Sequence, residues 1–141
     1  MSFAEEMKLS EILKEVKTSD CVGDPELEIE GVAYDSRKVK AGYLFVALRG
    51  HRLDGHDYLR DAIQNGAVAL VAEEFRDLHR SAATIRVPDS RRALSMLAMR
   101  FYGYPFEDIS LIGITGTNGK TTTSYLLESM LMAAGMSGSR K

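Results

Sequence analysis

Leu9, Ile12, Leu13 and Val16 recur three and four residues apart among charged neighbours, a spacing that predicts a short amphipathic helix ending before Thr18. Gly23-Asp24-Pro25 then supplies turn chemistry. Leu27, Ile29 and Val32 to Tyr34 predict one strand running into Asp35-Ser36-Arg37. Leu44 to Leu48 predicts a second, mostly buried strand, with Lys40-Ala41-Gly42 turning between the two. Tyr58, Leu59, Ala62 and Ile63 share one helical face, Gly66 suits the position after a helix end, and Val68 to Val71 resumes as a strand. Thr84 to Val87 reads as a further strand. Asp89 or Ser90 can then cap a helix that turns Leu94, Leu97, Ala98 and Phe101 inward and closes at Gly103. Tyr104-Pro105 marks a domain boundary, so the pattern predicts a small α/β domain over residues 1–103 and the start of a second over 105–141.

The second segment carries the clearest chemistry. Ile109 to Ile114 is an apolar run, and Thr115-Gly-Thr-Asn-Gly-Lys-Thr-Thr-Thr123 leads from it into a helical pattern with Leu126, Leu127, Met130 and Leu131. That order is strand, phosphate-binding loop, helix. Gly116 and Gly119 let backbone amides turn toward phosphate oxygens, and the helix N-terminus adds a favourable dipole. Lys120 is placed to reach the outer phosphates, and Thr121 stands where such loops put a hydroxyl on magnesium. The strict pattern has glycine five positions before Gly119; this chain has Ile114 there, with Gly113 one residue earlier. One strand and one helix leave edges and an apolar face without partners, which predicts fraying or aggregation of this segment.

Composition narrows the class. A hydrophobic content of 45% with 27% charged residues argues against disorder and membrane insertion, and a net charge of -2 gives no reason to expect nucleic acid. The longest apolar stretch, Ala67 to Ala72, is too short to span a bilayer. The first eight residues are acidic where a secretory signal would be basic. A soluble, cytoplasmic protein is expected. The single Cys21 excludes an internal disulfide and a Cys-cluster zinc site, and reads as a partly buried small apolar side chain. His51 and His56 with Asp54 and Asp57 have metal-ligand chemistry, but the segment reads better as a polar loop. His79 reads as solvated, and Met96, Met99, Met130 and Met132 as packing residues. In Asp35-Ser36-Arg37, Asp35 can cap backbone amides while Arg37 pairs at the surface.

Three stretches together resemble the Mur ligase family. They are Tyr34-Asp-Ser-Arg37 with Ala41 to Leu48; Gly50-His-Arg-Leu-Asp-Gly-His-Asp57 with Ala62-Ile63 and Gly66-Ala67; and Phe101-Tyr-Gly-Tyr-Pro105 leading into Leu111 to Thr123. The first two also resemble the MurF branch, whereas the third looks more like the tripeptide synthetases of the MurE branch. The resemblance covers nearly the whole chain. It implies an N-terminal domain binding the UDP part of the substrate, a central ATPase and a C-terminal amino-acid domain, of which only the first is complete here.

Carried over by position, Tyr34, Ser36, His51, Arg52 and Leu53 correspond to the residues around the UDP moiety. Gly116, Thr117, Asn118, Gly119, Lys120, Thr121 and Thr122 correspond to the ATP loop, with Lys120 stabilising the transferring phosphoryl group and Thr121 on Mg2+. The implied reaction activates a carboxylate with ATP to an acyl phosphate, which an amino acid amine then attacks. In the MurE branch the acceptor is UDP-N-acetylmuramoyl-L-alanyl-D-glutamate, and meso-diaminopimelate or L-lysine is added. A monomer acting without nucleic acid or membrane partners is expected. The family's remaining magnesium ligands, modified lysine and amino-acid-selecting residues have no counterpart among these 141 residues, so this chain alone is expected to be inactive, a UDP-sugar-binding module at most. Folylpolyglutamate synthetases carry a similar Gly-Thr-Asn-Gly-Lys loop but lack the Asp-Ser-Arg domain before it.

Overall fold

The computed structural model describes residues 6–76, 81–103 and 112–135. The chain divides into two compact units, Met1–Pro105 and Phe106–Lys141.

The first unit is built on strands β1 (Met7–Lys8), β2 (Asp20–Val22), β3 (Glu28–Ile29), β4 (Gly31–Ala33), β5 (Tyr43–Val46), β6 (Ala67–Ala72) and β7 (Ala83–Arg86), with helices α1 (Leu9–Ile12), α2 (Leu59–Gln64) and α3 (Ser90–Phe101). Five strands form one sheet in the order β2-β7-β6-β5-β4, and β1 pairs with β3 separately. Strands β4, β5, β6 and β7 run parallel, while β2 runs antiparallel to β7 at one edge. The sheet is therefore mixed but mostly parallel.

Burial on both faces is what β5 and β6 encode with continuous apolar runs. Leu44, Val46, Ala69 and Val71 join Leu9, Ile12, Ala93, Leu97 and Phe101 in one core, so α1 and α3 cover that face. Phe45, Ala47, Leu70 and Ala72 join Leu59 and Ala62 in the other, covered by α2. Successive side chains of a strand point to opposite faces, so one uninterrupted run fills two cores.

The structure corrects several expectations. The single strand expected from Leu27 to Tyr34 is two strands, β3 and β4, that change partner at Glu30, whose N–H donates to the Gly42 carbonyl at 2.9 Å. Strand β2 carries no apolar alternation, and all three residues are exposed, so the pattern left it invisible. Cys21 lies on that edge strand and is exposed rather than partly buried. Helix α1 is one turn, and Val16 reaches the core through a following turn closed by its N–H to the Leu13 carbonyl. In α3, Asp89 is the cap, accepting from the Arg92 N–H at 3.0 Å, and Ala93 is buried where Ala98 and Leu94 are only half-buried. The other strands and helices expected in the first unit are present within a residue or two.

In the second unit, helix α4 (Lys120–Ala133) is present, and no residue of it is buried. Of the strand expected over Ile109 to Ile114, residues 109–111 lie outside the described residues, and Ile112 to Ile114 carry no ladder among them. A strand exists only where a neighbour accepts its hydrogen bonds, and here none is described. His79 and Tyr104-Pro105 also lie outside the described residues.

Candidate functional site

Parallel strands deliver their following loops to one edge, and in open α/β sheets that edge is where ligands bind. Strands β4 and β5 are adjacent and in register, with Ala33 opposite Phe45. The Tyr34–Lys38 turn after β4 and the loop after β5, which holds His51, Arg52 and Leu53, therefore leave the same sheet edge.

The turn after β4 is fixed by its own side chains. Asp35 caps a 3-10 turn over Ser36–Lys38, accepting from the Arg37 N–H at 3.1 Å. Its carboxylate also receives both arms of the Arg37 guanidinium, Nε at 2.9 Å and Nη2 at 2.8 Å. This side-chain hydrogen bonding by Arg37, with the backbone donor behind it, lowers the Asp35 pKa to about 2. The capping and surface pairing expected of Asp35 and Arg37 are both present. From the far side, Asn65 at the end of α2 donates its Nδ2 to the Ser36 carbonyl at 2.9 Å, and Ser36 itself is only 9% exposed. Tyr34 is exposed and lines an open groove of about 410 Å3 with Val32, Ala33, Asp35, Lys38, Lys40, Tyr43 and Tyr102. Ser36 and the His51–Leu53 tip are not among the residues lining that groove.

The loop after β5 is a narrow hairpin. Ala47 continues the sheet by donating to the Val71 carbonyl; Gly55 then donates to the Leu48 carbonyl and Gly50 to the Leu53 carbonyl, at 2.8 and 2.9 Å. Arg49 and Asp54 pair as an antiparallel bridge. His51, Arg52 and Leu53 stand at the tip, all exposed. A β-carbon at Gly55 would lie 2.6 Å from the Leu48 nitrogen and 2.8 Å from its oxygen, so only glycine closes the hairpin base.

Ionic contacts surround this base. Arg49 lies 3.7 Å from Glu73 and also pairs with Glu74, whose pKa its guanidinium lowers, and Arg91 donates to the Arg49 carbonyl at 2.9 Å. Asp54 accepts from the His56 N–H at 3.0 Å, which lowers its pKa, and contacts His56 Nδ1 at 2.6 Å. His56 Nε2 in turn accepts from the Glu73 N–H at 3.2 Å. Both ring nitrogens of His56 are thus engaged inside the fold, and among the described residues no group of three His, Cys, Asp or Glu side chains is arranged to hold a metal. Lys38, Lys40, Tyr43, Arg49 and Glu73 were not singled out from sequence as site residues, and His56 was considered only as a metal ligand. For His56 the only available signal was the acidic residue two positions before it.

In the second unit, Gly119 takes the left-handed conformation (φ 77°, ψ 7°) immediately before Lys120, the first residue of α4. Among the described residues no side chain caps this helix, whose N-cap is the glycine itself. Lys120, Thr121 and Thr122 are exposed on the first turn, and Gly116, Thr117 and Asn118 are exposed in the loop before it.

The model of the Mur ligase family, catalytic domain, matches residues 28–102. The chain belongs to the Mur ligase family. It is 42% identical over 132 residues to UDP-N-acetylmuramoyl-L-alanyl-D-glutamate–2,6-diaminopimelate ligase 2 of Clostridium acetobutylicum, covering 93% of this chain and 27% of that protein. It is 45% identical over 130 residues to the diaminopimelate ligase of Geobacter metallireducens, covering 92% and 25%. The Mur-ligase chain thus spans about a quarter of the length of these curated relatives. Among solved structures, MurF of Acinetobacter baumannii superposes with a TM-score of 0.65 at 28% identity, over 94% of this chain and 29% of that one. MurF of Thermotoga maritima in complex with ADP gives 0.52 at 36% identity, over 72% and 23%. The mixed α/β architecture with its parallel-rich sheet is that of Mur ligase structures. No helix among the described residues is long and apolar enough to cross a membrane.

Proposed function

We propose that the chain is the part of an ATP-dependent peptidoglycan-precursor ligase that binds UDP-N-acetylmuramoyl-L-alanyl-D-glutamate and begins the ATP site, the parent enzyme adding meso-diaminopimelate as the third residue. The observation that carries this is the 39–45% identity to diaminopimelate ligases over about nine-tenths of the chain, which includes both substrate-edge loops and the 115–122 loop. In this reading residues 1–103 are the UDP-substrate domain, and Ser36 with the backbone of His51, Arg52 and Leu53 addresses the uridine diphosphate. A loop backbone can read a base edge without demanding particular side chains, which suits an exposed hairpin tip. Tyr34 presents an exposed aromatic ring in the groove at the end of β4.

The 116–122 loop fits a nucleoside triphosphate: amides without side-chain caps at a 14-residue helix, a left-handed glycine, an exposed lysine and exposed threonine hydroxyls. Bound ATP supplies the phosphoryl group that activates the substrate carboxylate. Lys120 would hold and neutralise the outer phosphate oxygens, the loop amides would orient them, and the Thr121 hydroxyl would serve Mg2+. The amine acceptor site and the remaining metal ligands have no counterpart in these residues.

Calorimetric titration with UDP-N-acetylmuramoyl-L-alanyl-D-glutamate is expected to show saturable binding to the 141-residue chain, competed by UDP, with no tripeptide formed on addition of ATP and diaminopimelate. Absence of binding would overturn the substrate assignment, and tripeptide formation would overturn the incomplete-site assignment. The superposition on MurF structures favours one second reading, a MurF-type acceptor. Preference for the UDP-tripeptide over the UDP-dipeptide would select it.

A further inference from the structure

The exposed hairpin tip at 51–53 has no apolar packing to hold it, since Leu53 is 66% exposed and His51 and Arg52 are exposed as well. Its position must come from the polar contacts at its base. His56 lies at the centre of these, with its side chain 12% exposed. An amide N–H of Glu73 points at Nε2, so Nε2 carries the lone pair; the proton of the neutral ring is then on Nδ1, which donates to the Asp54 carboxylate at 2.6 Å. Only this tautomer satisfies both partners.

The connections continue on either side. Asp54 is the last residue of the hairpin and caps the His56 N–H. Glu73 follows β6, and its carboxylate accepts from the Ser90 N–H at 3.1 Å, at the first turn of α3. His56 therefore ties the loop after β5 to the loop after β6, and Glu73 ties both to α3. Arg49, from the other side of the hairpin, meets Glu73 and Glu74 and holds Arg91 through its carbonyl.

We propose that His56, in its Nδ1–H tautomer, is a positioning residue that holds the 50–54 hairpin in substrate-binding register through the line Asp54–His56–Glu73–Ser90. It acts through Asp54 and the hairpin backbone and does not touch the substrate. The inference rests on the proposed UDP-substrate reading for what the hairpin binds, but not for what holds the hairpin.

The experiment compares wild type with His56→Gln and His56→Asn in the full chain. A glutamine amide oxygen reaches the place of Nε2 and can accept from Glu73; an asparagine amide reaches only the place of Nδ1. Three readouts are taken: UDP-dipeptide affinity by calorimetry, hydrogen exchange of the Gly50 and Gly55 amides, and the ring tautomer by nitrogen NMR. Each variant keeps only one of the two links, so expected are a protonated Nδ1 with a bare Nε2 in wild type, about tenfold weaker binding and faster Gly50 and Gly55 exchange in both His56→Asn and His56→Gln, and core amides of β5 and β6 protected in all three. An Nε2–H tautomer, or equal affinity and equal exchange in all three proteins, would overturn the proposal. If wild type itself fails to bind the UDP-dipeptide, the substrate reading falls; exchange at Gly50 and Gly55 then still decides on His56, unchanged rates in His56→Asn counting against it.

Discussion

Asp35 shows how a short residue pattern fixes a local structure whose energetics can be read by pH. Its carboxylate accepts one backbone and two guanidinium donors, and its pKa drops from the ordinary 3.8 to about 2. A carboxylate with a depressed folded pKa contributes stability that is complete above its unfolded pKa and disappears as pH falls through the folded value. Asp35→Asn keeps a capping oxygen but removes the charge. The stability difference between the two proteins should therefore be nearly constant from pH 7 to about 4, narrow as pH falls toward about 2 and close below it, as read from urea midpoints across that range. The pair is solvent-exposed, so the difference will be small; a gap that persists unchanged at pH 2 would show that the charge is not its source. This capping was legible in sequence because Asp-x-Arg encodes it within three residues. The anchoring of the Ser36 carbonyl was not, because its donor is Asn65, twenty-nine positions away. His56 was seen only as a candidate ligand, since nothing local announces that the Glu73 amide will meet its ring.

At the scale of elements, legibility followed burial. Strands β5 and β6 were plain because both faces are buried and every position is constrained to be apolar. Strand β2 was missed because an exposed three-residue edge strand has no face to encode. The split between β3 and β4 was missed because Ile29 and Val32 look continuous, whereas the switch of partner is made by the backbone of Glu30 and Gly42. The hairpin after β5 was recognised as a loop, but its tightness was not. Its base is enforced by Gly55, where any β-carbon collides with the Leu48 backbone rather than with a side chain that could swing away. Gly55→Ala should cost about 1–3 kcal/mol in denaturant unfolding, a typical overpacking penalty, and should weaken UDP-dipeptide binding as well. A variant with unchanged midpoint and unchanged affinity would show that the hairpin base tolerates opening and does not set the tip.

At the scale of the whole molecule, the two units differ in how much apolar surface they bury. All of the buried apolar residues among the described ones fall between Leu9 and Phe101, arranged as two cores on the two faces of one sheet. In α4, by contrast, no residue is buried, and Tyr125, Leu126, Met130 and Met132 are more than half exposed. Burial of apolar side chains is the main favourable term in folding, so the stability of the chain must reside in residues 1–105. The proposed substrate residues, from Tyr34 to Leu53, lie inside that same stretch. A protein ending at Pro105 should keep the urea midpoint of the 141-residue chain and bind the UDP-dipeptide within about twofold of its affinity. It should also stay monomeric at concentrations where the longer chain, with its exposed helix face, self-associates in sedimentation velocity. If removal of residues 106–141 instead lowers the midpoint or abolishes binding, then the second unit supplies either packing or ligand contacts, and the assignment of substrate recognition to the first unit alone is wrong.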